Sequence, residues 1–338
     1  MRSSRLVTLL AALSGAFAPC SRAAASPMDY LHADGLMAKR ILPLTQALLI
    51  VSAVVVVIIA ALVLIAVLRR ARGGAVPETP LLETPGRGWI SIGVGLSTIV
   101  LAGLVVWTSM TMARIANPPN KPALSIDVRG HQWWWEFVYQ SDDPSKIFST
   151  ANEIHIPVGK PVRFTLNGED VIHTFWIPSL GGKIQLIPGQ TNVTWLEADR
   201  TGVYRGQCSQ FCGKQHAHMI LSVFADAPDA FEAWRADQLR AAPQPAADDA
   251  RLGEQRFVGR CGACHTVRGT LANGRVGPDL THLMSRTTIA GGELPNNPGF
   301  LSGWIADPQG LKPGSLMPNP ELSGPDLASI RSFLVTLK

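Results

Sequence analysis

The sequence predicts a multidomain membrane protein: a two-helix transmembrane hairpin, then a β-strand domain, then a small all-α domain. Three observations predict it. Two apolar segments, Ile41–Leu68 and Trp89–Met112, contain no charged residue, and each exceeds the ~20 residues a helix needs to cross a bilayer core. From Pro122 onward, short alternating runs separated by Gly, Pro, Asn and Asp take their place, the pattern of strands and turns. After an Ala/Pro stretch, apolar residues return at helical spacing. At 338 residues the chain has room for two or three domains. A hydrophobic share of 46% against 16% charged residues excludes a disordered chain, and a net charge of only +5 without a Lys/Arg run excludes a nucleic-acid binder.

The N-terminus reads as a targeting segment. Arg2 and Arg5 precede an apolar stretch, Leu6–Ala18, and the small residues Ala23, Ala24 and Ala25 follow. This places a signal peptide over residues 1–25, with Ser26 as the mature start; cleavage there removes Cys20. Acylation of Cys20 is the weaker alternative, because Pro19 sits where a small residue is wanted. An external segment, 26–43, leads into transmembrane helices at 44–68 and 89–112. The loop between them, 69–88, carries Arg69, Arg70, Arg72 and Arg87, so the positive-inside rule makes it cytoplasmic and leaves everything after Arg114 outside.

The β-domain, 120–225, is expected as a sandwich or barrel with strands near Ala123–Val128, Glu153–Val158, Val162–Leu166 and Thr191–Leu196. Its informative stretch is Cys208-Ser-Gln-Phe-Cys212-Gly-Lys-Gln-His216-Ala-His-Met219, with His173 upstream at the end of an apolar run. Two thiols, an imidazole and a thioether within a dozen residues make a soft-ligand loop. A mononuclear blue-copper site needs one Cys, and zinc takes four strong ligands, of which Met is not one. The surplus Cys is accounted for if both thiolates bridge two copper ions, each with one His. A Cys208–Cys212 disulfide is the structural alternative in an oxidising compartment, but it leaves His216 and Met219 without a purpose. His131 and His155 have no ligand partner at recognised spacing and read as structural.

A short amphipathic helix and an Ala/Pro linker, 226–248, lead to the third domain, 249–338. Cys261-Gly-Ala-Cys264-His265 is the signature of covalent c-type haem attachment: two thiols add across the vinyl groups, and the adjacent imidazole becomes the proximal ligand. The sixth ligand is expected to be a Met. Met284 and Met317 are the candidates, with His282 as the remaining rival. Leu252, Phe257 and Val258 mark the apolar side of a helix before the motif. Ser323 with Asp326 makes an N-cap pattern ahead of Leu327, Ile330, Leu334 and Leu337.

The runs Gly130-His-Gln-Trp133-Trp-Trp-Glu136, Asp170-Val-Ile-His173-Thr-Phe-Trp-Ile-Pro178-Ser-Leu-Gly181, Ile187-Pro188-Gly189-Gln190 and Gly206-Gln207-Cys208 resemble subunit II of the haem–copper cytochrome c oxidases, from about Pro43 to Trp234. The resemblance implies a cupredoxin-like β-barrel holding the binuclear copper A centre. Its ligands would be His173, Cys208, Gln210 through its carbonyl, Cys212, His216 and Met219; the family spacing Cys-x3-Cys-x3-His-x2-Met excludes His218. It further implies that electrons enter toward copper at Trp133, and that Glu83 lies near the mouth of a proton pathway. Gln210 stands where many relatives carry the Glu that helps hold magnesium at the subunit I interface, and an amide is a weaker ligand for that ion. Gln185 likewise replaces an acidic residue, which makes a docking face for basic cytochrome c less negative. The stretch Lys312-Pro-Gly-Ser-Leu-Met317-Pro318 resembles the axial-Met loop of class I cytochromes c.

Together these imply the subunit II type with a fused cytochrome c domain, as in caa3-type oxidases, in the inner membrane of a bacterium with both cofactor domains outside. The implied partners are subunits I and III, and a donor that is either cytochrome c or a quinol–cytochrome c reductase. No residue reads as a general acid, base or nucleophile, so oxygen reduction and proton translocation are expected in subunit I. A free-standing electron carrier needs only one anchor. A copper chaperone needs neither the haem motif nor Met219, and a quinol oxidase subunit lacks the copper ligands.

Overall fold

The computed structural model describes residues 28–71 and 86–338. The expected signal peptide and Glu83 lie outside the described residues. Two long helices come first: α1 (Leu36–Ala71) and α2 (Arg87–Ile115), both long and apolar enough to cross a membrane. Their apolar side chains, from Leu48 to Leu68 and from Trp89 to Met112, are largely exposed, as expected of surfaces that face lipid. At 36 residues, α1 is roughly 54 Å long, well beyond the ~30 Å hydrocarbon core. The excess lies at its N-terminal end, where Met37, Ala38 and Leu44 are buried.

That end is joined to the β-domain. Asp34 N–H donates to Ser179 O at 2.8 Å, Asp199 N–H donates to Asp34 O at 2.8 Å, and Lys39 pairs with Asp199. Trp195 Nε1 donates to Ile115 O at 2.8 Å, at the end of α2. A side chain at Gly181 would meet Leu196 at 2.6 Å and Met37 Sδ at 3.0 Å, so glycine permits the close approach of α1. The β-domain is therefore held at both helix ends.

The strands are β1 (Leu124–His131), β2 (Trp134–Tyr139), β3 (Phe148–Ala151), β4 (Glu153–Pro157), β5 (Val162–Gly168), β6 (His173–Phe175), β7 (Ile184–Leu186), β8 (Asn192–Leu196), β9 (Gly202–Gln207) and β10 (Ile220–Asp226). They form a five-stranded sheet, β3-β2-β1-β5-β8, and a three-stranded sheet, β4-β10-β9, with β6-β7 as a separate hairpin. β1 runs parallel to β5 and β10 parallel to β4; the other pairings are antiparallel. Alternation along each strand sends Ile126, Val128, Phe137, Phe164 and Leu166 inward from one sheet to meet Ile154, Ile156, Leu221 and Val223 from the other. Each such side chain contributes about 1.5–3 kcal/mol on burial. The result is the cupredoxin-like sandwich the sequence predicts.

Helix α3 (Pro228–Gln238) closes one end of this core with Phe231 and Trp234. His155 is sandwiched between Phe224 and Trp234, with ring centroids at 4.6 and 4.1 Å, and its Nδ1 lies 2.7 Å from Asp226. His131 stacks on Trp134 at 4.4 Å. The Tyr139 hydroxyl donates to His155 O at 2.9 Å and accepts from His155 N–H at 2.8 Å. Tyr139→Phe leaves both backbone groups unpaired and is expected to destabilise the chain by about 1–3 kcal/mol, read as an earlier midpoint in denaturant with unchanged copper content.

The C-terminal domain contains α4 (Asp248–Arg260), a two-residue ribbon β11 (Thr288–Ile289) and β12 (Leu294–Pro295), α5 (Pro298–Ala306), the single turn α6 (Pro308–Leu311) and α7 (Gly324–Leu334). Ser323 caps α7 by accepting from Asp326 N–H, as its sequence pattern predicts. Helices α4 and α7 cross where Gly253 faces Ser329 and Phe257 meets Phe333 at 5.6 Å. The inner face of α4 is Ala250, Gly253 and Phe257, while Leu252 is exposed. The crossing selects the face with a glycine at its centre, which a count of apolar residues alone misses.

Candidate metal centre and haem site

The copper candidates lie where the β6–β7 hairpin meets the loop between β9 and β10. Cys208 Sγ sits 3.8 Å from Cys212 Sγ, 3.9 Å from His173 Nδ1 and 3.2 Å from Gln210 O. Cys212 Sγ lies 3.5 Å from His216 Nδ1 and 3.9 Å from Met219 Sδ. All the sequence-predicted donors of this loop therefore converge, and Cys208, Cys212, His173 and Met219 are buried. Both thiols are free rather than joined in a disulfide. The Cys212 thiol and the His173 imidazole, acting against burial, pull Cys208 well below the ordinary thiol range, while Cys212 is pushed up. Metal binds thiolates, so binding here releases the protons the thiols still hold. Two thiols, two imidazoles, a thioether and a carbonyl fit a soft binuclear copper site.

The surroundings aim the ligands. His173 Nε2 lies 2.8 Å from Asp170 Oδ1, which fixes the tautomer and leaves Nδ1 facing the thiols. Asp170 is partly desolvated, but hydrogen bonds from His173, Val171 N–H and Gln132 N–H hold its carboxyl below the usual range. A side chain at Gly130 would come within 2.8 Å of the His173 ring. At Gly213, whose φ is +117°, one would meet Trp133 at 2.8 Å. Cys208 N–H donates to Met219 O at 3.1 Å, closing the loop. His218 lies outside the cluster, half exposed, with Nδ1 2.7 Å from Gln215 Oε1 and 3.5 Å from Glu293. Asp170 was findable in the sequence, three residues before His173; the two glycines show their role only in the fold.

Trp133 is 7% exposed. Its Nε1 donates to Cys212 O at 2.9 Å, and a side chain at Gly314 would touch the far edge of its ring at 3.5 Å. The indole thus lies between the copper loop and the Met317 loop.

Cys261, Cys264 and His265 occupy the turn that ends α4, where Cys264 and His265 N–H both donate to Cys261 O at 3.0 Å. His265 Nδ1 lies 2.8 Å from Pro278 O, which leaves Nε2 for iron. Burial holds the imidazole neutral, the form that ligates, and pushes the Cys261 thiol up to about 11. A side chain at Gly277 would strike the His265 ring at 2.6 Å, so that position cradles the imidazole. These residues fit a covalent haem. Gln309 Nε2 braces the Met317 loop by donating to Ser315 O and Met317 O at 2.7 Å each. Met284 packs on the helical core instead. His282 has both ring nitrogens engaged, 2.9 Å from Lys338 O and 3.1 Å from Arg240 O, and presents none to a metal.

Comparison with known proteins bears on this pairing. Residues 141–225 match the family described as cytochrome c oxidase subunit II, periplasmic domain, and residues 250–338 match cytochrome c. The chain is 38% identical over 253 residues to cytochrome c oxidase subunit 2 of Alkalihalophilus pseudofirmus, covering 74% of this chain and 72% of that protein. The chain belongs to the cytochrome c oxidase subunit 2 family. The subunit 2 proteins of Bacillus sp. PS3 and Bacillus subtilis are 32% and 29% identical, over 71% and 74% of this chain and 71% and 73% of theirs. As a subunit 2 with a cytochrome c domain, it serves electron transfer in a cytochrome c oxidase. The two apolar helices anchor it to a membrane.

Proposed function

We propose that this subunit 2 accepts electrons from an external donor at haem c and delivers them through binuclear copper A to subunit I, where oxygen is reduced to water with proton translocation. Convergence of two thiols, two imidazoles, a thioether and a carbonyl carries the reading. Cys208, Cys212, His173 and His216 would hold the two copper ions, with Met219 and the Gln210 carbonyl as weaker donors. Cys261 and Cys264 would hold haem c, with His265 and Met317 on its iron. Each group, when bound, supplies a one-electron carrier.

The chain's residues do the rest. Asp170 orients His173, Pro278 O orients His265, and burial of the thiols excludes water from the copper loop. Trp133 bridges the two loops as the residue through which electrons would enter the copper site. The donor would be cytochrome c or a quinol–cytochrome c reductase, and subunits I and III would be the membrane partners. Arg69 and Arg70 at the C-terminal end of α1 support a cytoplasmic hairpin loop, with both cofactor domains on the periplasmic side of a bacterial inner membrane. Gln210, exposed and neutral, is a weak donor for a magnesium ion at the subunit I interface. On this reading, detergent extraction yields the chain together with a many-helix subunit; a chain that always purifies alone contradicts it.

Met317→Ala is expected to keep the haem covalently attached but turn it from low-spin to high-spin, with a lower reduction potential. Met284→Ala is expected to leave the optical spectrum unchanged. The reverse pattern would move the axial ligand to Met284.

A further inference from the structure

Two charged side chains join the haem domain to the copper domain, and neither belongs to a cofactor site. Lys312, five residues before Met317, is buried at 3% exposure. Its Nζ donates to Trp133 O at 3.0 Å, His218 O at 2.9 Å and Ala290 O at 2.7 Å. An ammonium has three donors, and all three are used. Burial lowers Lys312 to about 8, with Glu293 supporting the charge. A side chain at Gly291, whose φ is +77°, would sit 2.3 Å from that Nζ, so the β11–β12 turn must offer glycine there.

On the other side of the ribbon the sense of the charge reverses. Glu153, buried on β4, accepts from Thr287 N–H at 2.8 Å, from Thr288 N–H at 3.2 Å and from the Thr287 hydroxyl. Between the two, Ile220 N–H donates to Gly291 O at 3.0 Å, and Gln215 Nε2 donates to Pro313 O at 2.9 Å.

We propose that Lys312 is a positioning residue: it pins the Met317 loop onto the backbone of Trp133, and with Glu153 as its counterpart it keeps the haem domain docked on the copper domain rather than swinging on the linker. The proposal rests on the reading that haem c reduces copper A, a transfer of one electron with no proton and no co-reactant. A docked domain fixes the distance that the electron crosses, so its rate is set by this interface and not by a search for an encounter.

The test uses the intact oxidase complex with Lys312→Met and Glu153→Ala. Hydrogen exchange reads docking through amides whose acceptor across the interface the substitution leaves in place: Ile220 in both variants, and Thr287 and Thr288 as well in Lys312→Met. These amides are expected to exchange at least tenfold faster while the α4–α7 core stays protected. Transfer from haem c to copper A slows at least tenfold, whereas reduction of haem by a small-molecule reductant is unchanged. Interface amides that keep wild-type protection in both variants overturn the proposal. So does a loss of protection that spreads through the α4–α7 core in both, which marks a general structural role. Failure of the underlying reading looks different: the wild-type haem then never reduces copper, whatever the amides do.

Discussion

Gly253→Ala is expected to prevent the haem domain from folding in its native packing, with loss of covalent haem from most of the protein and an intact copper domain. A Cβ at this position would lie 1.9 Å from Ser329 O, 2.6 Å from its carbonyl carbon and 2.9 Å from Phe333 Cβ. The first two are backbone atoms of α7, so no rotamer change relieves the clash. The helices would have to separate by more than 1 Å, opening the contacts of Phe257 with Phe333 and of Ile330 and Leu334 with the core. Overpacking a core with one methyl group typically costs about 1–3 kcal/mol, and a backbone-to-backbone clash sits at or above the upper end. A domain of this size has little to spare, since whole-protein stabilities are about 5–15 kcal/mol. Gly259 in the same helix has nothing within 4 Å. There the same substitution is expected to stabilise by up to about 1 kcal/mol. Haem staining and thermal unfolding of the two variants side by side check the pair.

Cys212→Ser is expected to abolish the binuclear copper signal while leaving haem c attached and spectrally normal. Cys212 Sγ is the hub of the cluster, within 4 Å of Cys208, His216 and Met219. An alcohol at that position stays protonated and hard, and cannot bridge two soft ions. The haem site is carried by a separate core and has no reason to change. Electron transfer beyond haem c should fall by orders of magnitude, while the rate of haem reduction by the donor is retained. His218→Ala is the control: it lies outside the cluster, and copper content is expected to stay at the wild-type value.

What the sequence made legible follows from where the information lies in the chain. The loop from Cys208 to Met219 and the Cys261–His265 motif concentrate their ligands within about a dozen residues, so residue type and spacing already limit the chemistry. His173 lies 35 residues before Cys208; the need for a second imidazole and its place at the end of an apolar run pointed to it, and the resemblance to the family motif named it a ligand. The apolar helices and the alternating strands were readable because burial imposes a period on the sequence. Lys312 and Glu153 were not. Their partners lie 179 and 134 residues away, and a lone charge in a loop reads as solvated until the fold buries it. The same holds for Gly130, Gly213 and Gly253, each a glycine only because another segment arrives where its Cβ would be. The part of α1 that precedes the expected transmembrane helix, 36–43, is set by packing on the β-domain rather than by the bilayer.

The most direct measurement is copper and haem content of the purified full-length chain, together with its EPR and optical spectra. Two copper ions per chain sharing one unpaired electron, plus one low-spin c-type haem, are the expected result. A single copper giving four hyperfine lines, or a chain without covalent haem, would contradict the account.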